Sequence, residues 1–360
     1  MTALTVPARP EEDASLRPVP WRRMAWVTWR QHRFALTGVA ALLGAWAVYL
    51  WLTGLQLHHA YAAATACRPA SSIACGNMIA DFNDTYGSRA AGIAALLQVV
   101  PALIGAFVGA PVLARELETG TFRYAWTQGF GRWRWTLAKL VALAVVLAAA
   151  AGAISVLFSW YYQPYFAARN QALSFSEVSP LVPGLFDLRG VAFAAWTLAA
   201  FAIGALAGML IRRVVPAIAA TLAAYAGLAL AAGMFLRQHY LTPLVTSNLN
   251  VFTSSNLNVP ASAWITSQWG TKGGKFAFAP WPPDSLVLQI CPPSVLGSGN
   301  SKPSPGSLLQ CLSQHGYTQW HSYQPASRFW PFQWIEGGWL LALSALLLAA
   351  TVWLVRRRAT

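Results

Sequence analysis

Charge is what this sequence has least of. Only 10% of its 360 residues are Asp, Glu, Lys or Arg, and just eleven are acidic, whereas a soluble domain carries about 25%. With 56% hydrophobic residues, too little polar side chain is left to cover a water-soluble globule. Four cysteines cannot build a cysteine scaffold, though they suffice for two bridges in an oxidising compartment. Nucleotide chemistry is missing too. The one Gly-Lys step, Gly274–Lys275, runs into Phe276 and lacks the Ser or Thr that a phosphate loop offers to magnesium. Neither HExxH nor GxSxG occurs. His58 and His59 are adjacent, so on a helix they point to different faces and read as interfacial side chains, not as metal ligands. The chain is expected to hold no cofactor or metal and to have no catalytic residues of its own.

What is present is apolar sequence in six long runs. They cover approximately 34–57, 92–114, 140–160, 188–211, 214–236 and 334–355, each close to the ~20 residues that cross about 30 Å of hydrocarbon. The expected fold class is an all-α polytopic membrane protein of six transmembrane helices. No ionisable residue lies in the middle third of any run, which disfavours an ion-coupled carrier. Polarity or a kink inside the runs comes only from Gln98, Pro101, Ser155, Thr197, Thr221, Tyr225 and Ser344. Asp187, Arg189 and Glu336 are placed at the ends facing away from the termini. Gly105/Gly109 and Gly204/Gly208 have the spacing that lets helices approach closely, although chance spacing is common in runs this rich in Ala and Gly.

Residues 1–20, with Pro7, Pro10, Pro18 and Pro20, read as a disordered cytoplasmic tail rather than a cleavable signal. Residues 21–33 read as an interfacial amphipathic helix on membrane lipid. Arg22, Arg23, Arg30 and Arg33 share one arc and are set against Trp21, Met24, Ala25 and Trp29, with Trp26 out of place among the arginines. The alternative is a basic flank of the first run.

Net charge is +14, but the cations sit at the ends of apolar runs and form no dense patch, so nucleic acid is not the expected partner. On the side holding both termini there are sixteen Lys and Arg. The remaining nine of the 25 are spread over more than twice as many residues. That asymmetry places both termini in the cytoplasm of a multi-pass cell-membrane protein.

All four cysteines then fall outside. Cys67 pairs with Cys75 and Cys291 with Cys311 if the pairing is local, and the crossed pairing stays open. Trp160, Tyr161, Tyr162, Tyr165, Trp330, Phe332, Trp334 and Trp339 are expected as headgroup anchors. The segment 237–333 is Ser-, Asn-, Pro- and Gly-rich and repeats SNLNV at 247–251 and 255–259. It reads as a loop-rich extracellular cap. Residues 334–360 supply the sixth run and a basic tail.

The chain is organised around 115–139, RELETGTFRYAWTQGFGRWRWTLAK, the longest polar interruption on the cytoplasmic side. Glu116, Glu118, Gly120 and Thr121 make a Glu-x-Glu-x-Gly-Thr step, followed eleven residues later by Arg132 and then by Lys139 entering the third run. This loop resembles that between the second and third spans of ABC-2 type exporter permeases. The plan of the whole chain is similar as well. The closing run from Tyr323 looks like permeases of high-GC Gram-positive bacteria. One departure is Gly129-Phe130-Gly131, where the family often has Pro or Ser before the Arg.

The resemblance implies that the loop holds a coupling helix seated in a groove of a separate ABC ATP-binding subunit, which binds the ATP. It also implies a second permease copy or paralogue. Glu116 and Glu118 can reach basic groups of that subunit, Gly120 allows a sharp turn, and Arg132 can meet lipid phosphate or partner carboxylates. Alternatively, the two glutamates pair with Arg115 and Arg123 in a solvated loop. Lack of buried charge suits a hydrophobic or amphipathic cargo such as a lipid, drug or peptide antibiotic. The rival from another class is a membrane sensor or immunity protein whose outer segment binds a ligand without transport.

Overall fold

The computed structural model describes residues 21–69, 72–120, 132–167, 179–247, 262–292 and 305–358. Six helical segments are long and apolar enough to cross a membrane. α1 (Trp21–Ala66) is one helix of 46 residues. The N-terminal stretch expected to lie separately on the membrane runs into the first span without a break. No Pro or Gly occurs between Trp21 and Thr37, so nothing ends the helix there.

The second span is longer than its apolar run. It comprises α2 (Ile73–Phe82), α3 (Ser88–Ile104) and α4 (Pro111–Thr119), joined by two wider turns at Asn83–Gly87 and Gly105–Gly109. In the second of these Ala110 N donates to Gly105 O at 2.9 Å, an i→i+5 bond that admits one extra residue. Pro101 and Pro111 leave carbonyls upstream without their usual donors, which is where such turns are tolerated.

α5 (Arg132–Tyr161) is the third span, followed by the short α6 (Gln163–Ala167) and α7 (Pro183–Phe186). α8 (Ala192–Ile211) and α9 (Val214–Ala231) form the fourth and fifth. Arg212 at φ 59° and extended Arg213 make the tight turn between them.

α8 is the centre of the bundle. It is apolar on every side and packs against α4, α5, α9, the Gly105–Gly109 turn and the last helix, as a helix without a polar face must. Its glycines meet those of the second span directly. A Cβ on Gly105 would lie 2.6 Å from Ala200 O, one on Gly109 2.7 Å from Phe201 O, and one on Gly204 2.7 Å from Ala110 N. The spacing that chance could have produced thus marks a close contact between the second and fourth spans. By contrast α1 and α9 leave Trp51, Leu52, Val215 and Leu230 exposed, faces fit for lipid or another apolar surface.

Beyond α9 the chain builds a four-stranded antiparallel sheet in the order β1-β4-β2-β3. Its strands are β1 (Leu244–Ser247), β2 (Trp264–Lys272), β3 (Lys275–Phe278) and β4 (Tyr317–Gln324). The segment read as loop-rich therefore has a folded centre. Central β4 places Trp320 opposite Trp269 of β2, with the rings stacked 6.4 Å apart, and Trp320 Nε1 donates to Thr271 Oγ1 at 3.0 Å.

Gly273 and Gly274, at φ 55° and 79°, form the two-residue β2–β3 turn, whose backbone requires positive φ at both positions. The Gly-Lys step that failed as a phosphate loop is thus a hairpin. α10 (Asp284–Ile290) and α11 (Pro305–Gln314) are bridged by Cys291–Cys311, and Cys67–Cys75 closes the link between the first two spans. Pairing is local in both cases. The SNLNV repeats lie outside the described residues except for Ser247.

α12 (Phe329–Arg358) is the sixth span. Trp330 and Trp334 are exposed at its start, as anchors should be, but Phe332 is buried. Tyr161, Tyr162 and Tyr165 also turn inward, where Tyr162 meets the rings of Phe158, Tyr161 and Tyr165 at 5.0–5.9 Å and Tyr165 meets Phe82 at 5.8 Å.

Candidate functional site

At the end of the bundle that carries the 115–139 loop, two acidic side chains tie the loop's base to other spans. Glu116 is three residues before the end of α4, and its Oε1 lies 2.7 Å from Lys139 Nζ on α5. Lys139 also donates to Val112 O at 3.0 Å and lies 4.9 Å from the Trp135 ring centre. Its side chain is 1% exposed. A buried ammonium without a carboxylate is costly, so this contact fixes α4 against α5.

Glu118 reaches elsewhere: its Oε2 accepts from Val214 N at 3.1 Å, a free amide in the first turn of α9. A carboxylate there satisfies an orphan donor and the positive end of the helix dipole. Gly120 ends α4 at φ 70°, a left-handed cap that suits glycine. The glutamates are thus engaged within the chain, and neither Glu116–Lys139 nor Glu118–Val214 is the pairing with Arg115 and Arg123 that a solvated loop would make. Thr121 and residues 122–131 lie outside the described residues. Arg132 opens α5, with its side chain outside the description, as are those of Trp21, Arg22, Arg23 and Trp29. Arg30 is exposed on α1.

At the sheet end a second charge cluster occurs that sequence reading did not assemble. Arg237, wholly buried at the end of the wider turn Ala232–Leu236, donates from Nε and Nη2 to both oxygens of Glu336, at 2.9 and 2.6 Å. Nη2 also donates to Asp187 Oδ1. Glu336 accepts further from Trp196 Nε1 at 2.9 Å and Tyr240 Oη at 3.1 Å, and the guanidinium lies 4.4 Å from the Phe186 ring centre. Gln333 completes the shell, accepting from Ala192 N at 2.9 Å and donating to Phe186 O at 3.0 Å. Burial pushes the Asp187 carboxyl up to about 7; Arg237 opposes the rise and Glu336 adds to it.

Beside this cluster a cavity of about 300 Å³ opens between the second, fourth and fifth spans and α7. Gln98, Asp187, Trp196 and Tyr225 supply its polar and aromatic wall. Sequence reading had singled out Gln98 and Tyr225 as polar residues inside spans, a signal that found the cavity wall without revealing the cavity. His58, by contrast, stacks on Trp160 at 4.7 Å and contacts its carbonyl at 3.0 Å, an interfacial role.

Six membrane-spanning helices, a loop tied by its acidic base to two neighbours and a sheet-built cap define a multi-pass integral membrane protein. The ABC-2 membrane transporter related family matches residues 40–237, more than half of the chain, and the chain belongs to that family. It is accordingly an ABC transporter permease, the membrane subunit and not the ATPase, and associates with an ABC ATP-binding subunit. No curated protein and no solved structure matches the chain.

Proposed function

We propose that this permease exports a hydrophobic or amphipathic cargo, with both termini and the 115–139 loop in the cytoplasm. A separate subunit holds the ATP and docks on that loop, and a second permease copy or paralogue completes the pathway. The observation that carries this reading is the double tether at the loop base. Glu116 binds α5 through Lys139 and Glu118 binds α9 through Val214 N, so a push on the loop is passed to three spans at once. Glu116 and Glu118 then act as a lever inside the chain, while Thr121 and Arg132 remain candidates for contact with the ATP-binding subunit. The basic ends of α1 and α12 sit at membrane-lipid phosphate in this orientation.

The test is co-purification from native membranes followed by an ATPase assay on the eluate. Wild type is expected to bring down an ATP-binding protein. Replacing 122–131 with a Gly-Ser chain is expected to lose it while leaving the fold intact. Glu118→Gln is expected to keep the partner and weaken the coupling of its ATPase to cargo. Absence of ATPase activity in a wild-type eluate, under conditions that preserve comparable complexes, overturns the exporter and favours a sensor using the sheet.

A further inference from the structure

The cavity beside the sheet-end cluster has three properties that together define a ligand. The first is its charge. Among the described residues, Asp187 and Glu336 both pair with one cation, Arg237, which leaves one carboxylate charge in excess at the cavity's end whenever Asp187 is ionised. Asp187 is the member that lines the space, and its side chain is 25% exposed there. Buried carboxylates in excess over cations favour a further positive group.

The second property is the wall. Trp196 and Tyr225 meet edge to face at 5.6 Å and both line the cavity, with Phe193. Aromatic faces next to a carboxylate are the setting in which an organic cation is held. Gln98 and Tyr225, both within spans, add a side-chain amide and a hydroxyl to this wall. The third property is access. Leu230 and Met234, on the rim, are 61% and 62% exposed on the bundle's flank, so entry is from the side where acyl chains lie. The wider turn Ala232–Leu236, which follows the end of α9, supplies Gly233 and Met234 to this rim.

We infer that this cavity is a lateral binding site for an amphiphile with a cationic head, the head lying between Asp187 and Trp196 and the apolar part leaving past Leu230 and Met234. The inference deepens the exporter reading by giving its cargo a charge. It can nevertheless be tested without ATP or a partner, so a failure of binding is distinguishable from a failure of coupling.

Tetraphenylphosphonium is the probe, with isosteric tetraphenylborate as the anionic control. Binding to the full chain is followed by equilibrium dialysis in uncharged maltoside detergent. The cation is expected to bind saturably and the anion at least about tenfold more weakly. Asp187→Asn, which keeps an acceptor for Arg237, is expected to lower cation affinity about tenfold, close to 1.4 kcal/mol. Gly233→Leu fills the space without touching the charge cluster, since a Cβ there meets only Pro183 at 3.9 Å. It is expected to abolish binding while thermal stability stays near wild type.

Adding phosphatidylethanolamine separates the sources. Competition with the probe assigns the site to a lipid amine, and lack of competition to a free amphiphilic cation. Equal binding of the two probes, or unchanged binding in Gly233→Leu, overturns the inference.

Discussion

The two ends of the bundle bury charge in opposite ways. At the loop end one cation, Lys139, meets one carboxylate, Glu116, and a backbone carbonyl. The cluster is neutral and joins two helices. At the sheet end one cation, Arg237, meets two carboxylates, and the cluster borders a cavity. A balanced pair has no use for a further ion and so serves as a joint. An unbalanced triad keeps a demand for positive charge and so serves as a site. The difference between a structural and a receptive cluster therefore lies in its charge sum and not in its depth.

The largest effect is expected from Arg237→Met, which strands two carboxylates. Breaking a buried ion pair costs about 3–5 kcal/mol, read as a collapse of thermal stability in detergent. Adding Glu336→Leu to that variant is expected to restore part of the loss. Next is Glu116→Leu, which leaves Lys139 buried alone. A loss of about 3 kcal/mol should be largely recovered in Glu116→Leu/Lys139→Leu, and a single variant as stable as wild type would remove the joint from the comparison.

Between the two ends, Gly204→Leu forces the second and fourth spans apart and is expected to cost at least about 1–3 kcal/mol. If Gly204→Leu proves neutral, the glycine contact does not hold the ends in register. The smallest change in stability, about 0.5–1 kcal/mol, is expected for Glu118→Gln, which weakens a capping bond. Its coupled ATPase activity should fall far more than its stability. A variant that keeps full coupling would show that the loop base transmits nothing through α9.

Six spans were legible in the sequence because apolar length alone announces them. Their ends were less so. The polar stretch Asn83–Gly87 reads as loop, yet it sits inside a helix because flanking turns carry it. The sheet escaped notice for a different reason. β4, YTQWHSYQ, is polar on both faces and central, so it shows no alternation of apolar and polar residues. At the loop, the motif picked out Glu116 and Glu118, but the partner of Glu118 is a backbone amide 96 residues away, and composition cannot signal a backbone amide. Of the sheet-end triad, Asp187 and Glu336 were seen as separate residues at span ends and Arg237 only as the first residue of the segment 237–333. Its members lie 50 and 99 positions from Arg237, and only the packing of α8 against α12 and α9 brings their helices together.

The extra residue at Gly105–Gly109 bears on all of this as a matter of phase. Each residue of a helix turns the chain by about 100°, so that single insertion sets the direction in which everything after it points. Glu116 and Glu118 lie downstream on the same span. Removing one residue from the turn would rotate both by about 100°, carrying Glu116 off Lys139 and Glu118 off Val214 without altering either glutamate. The contacts at the base of the loop are aimed from a turn deep within the span.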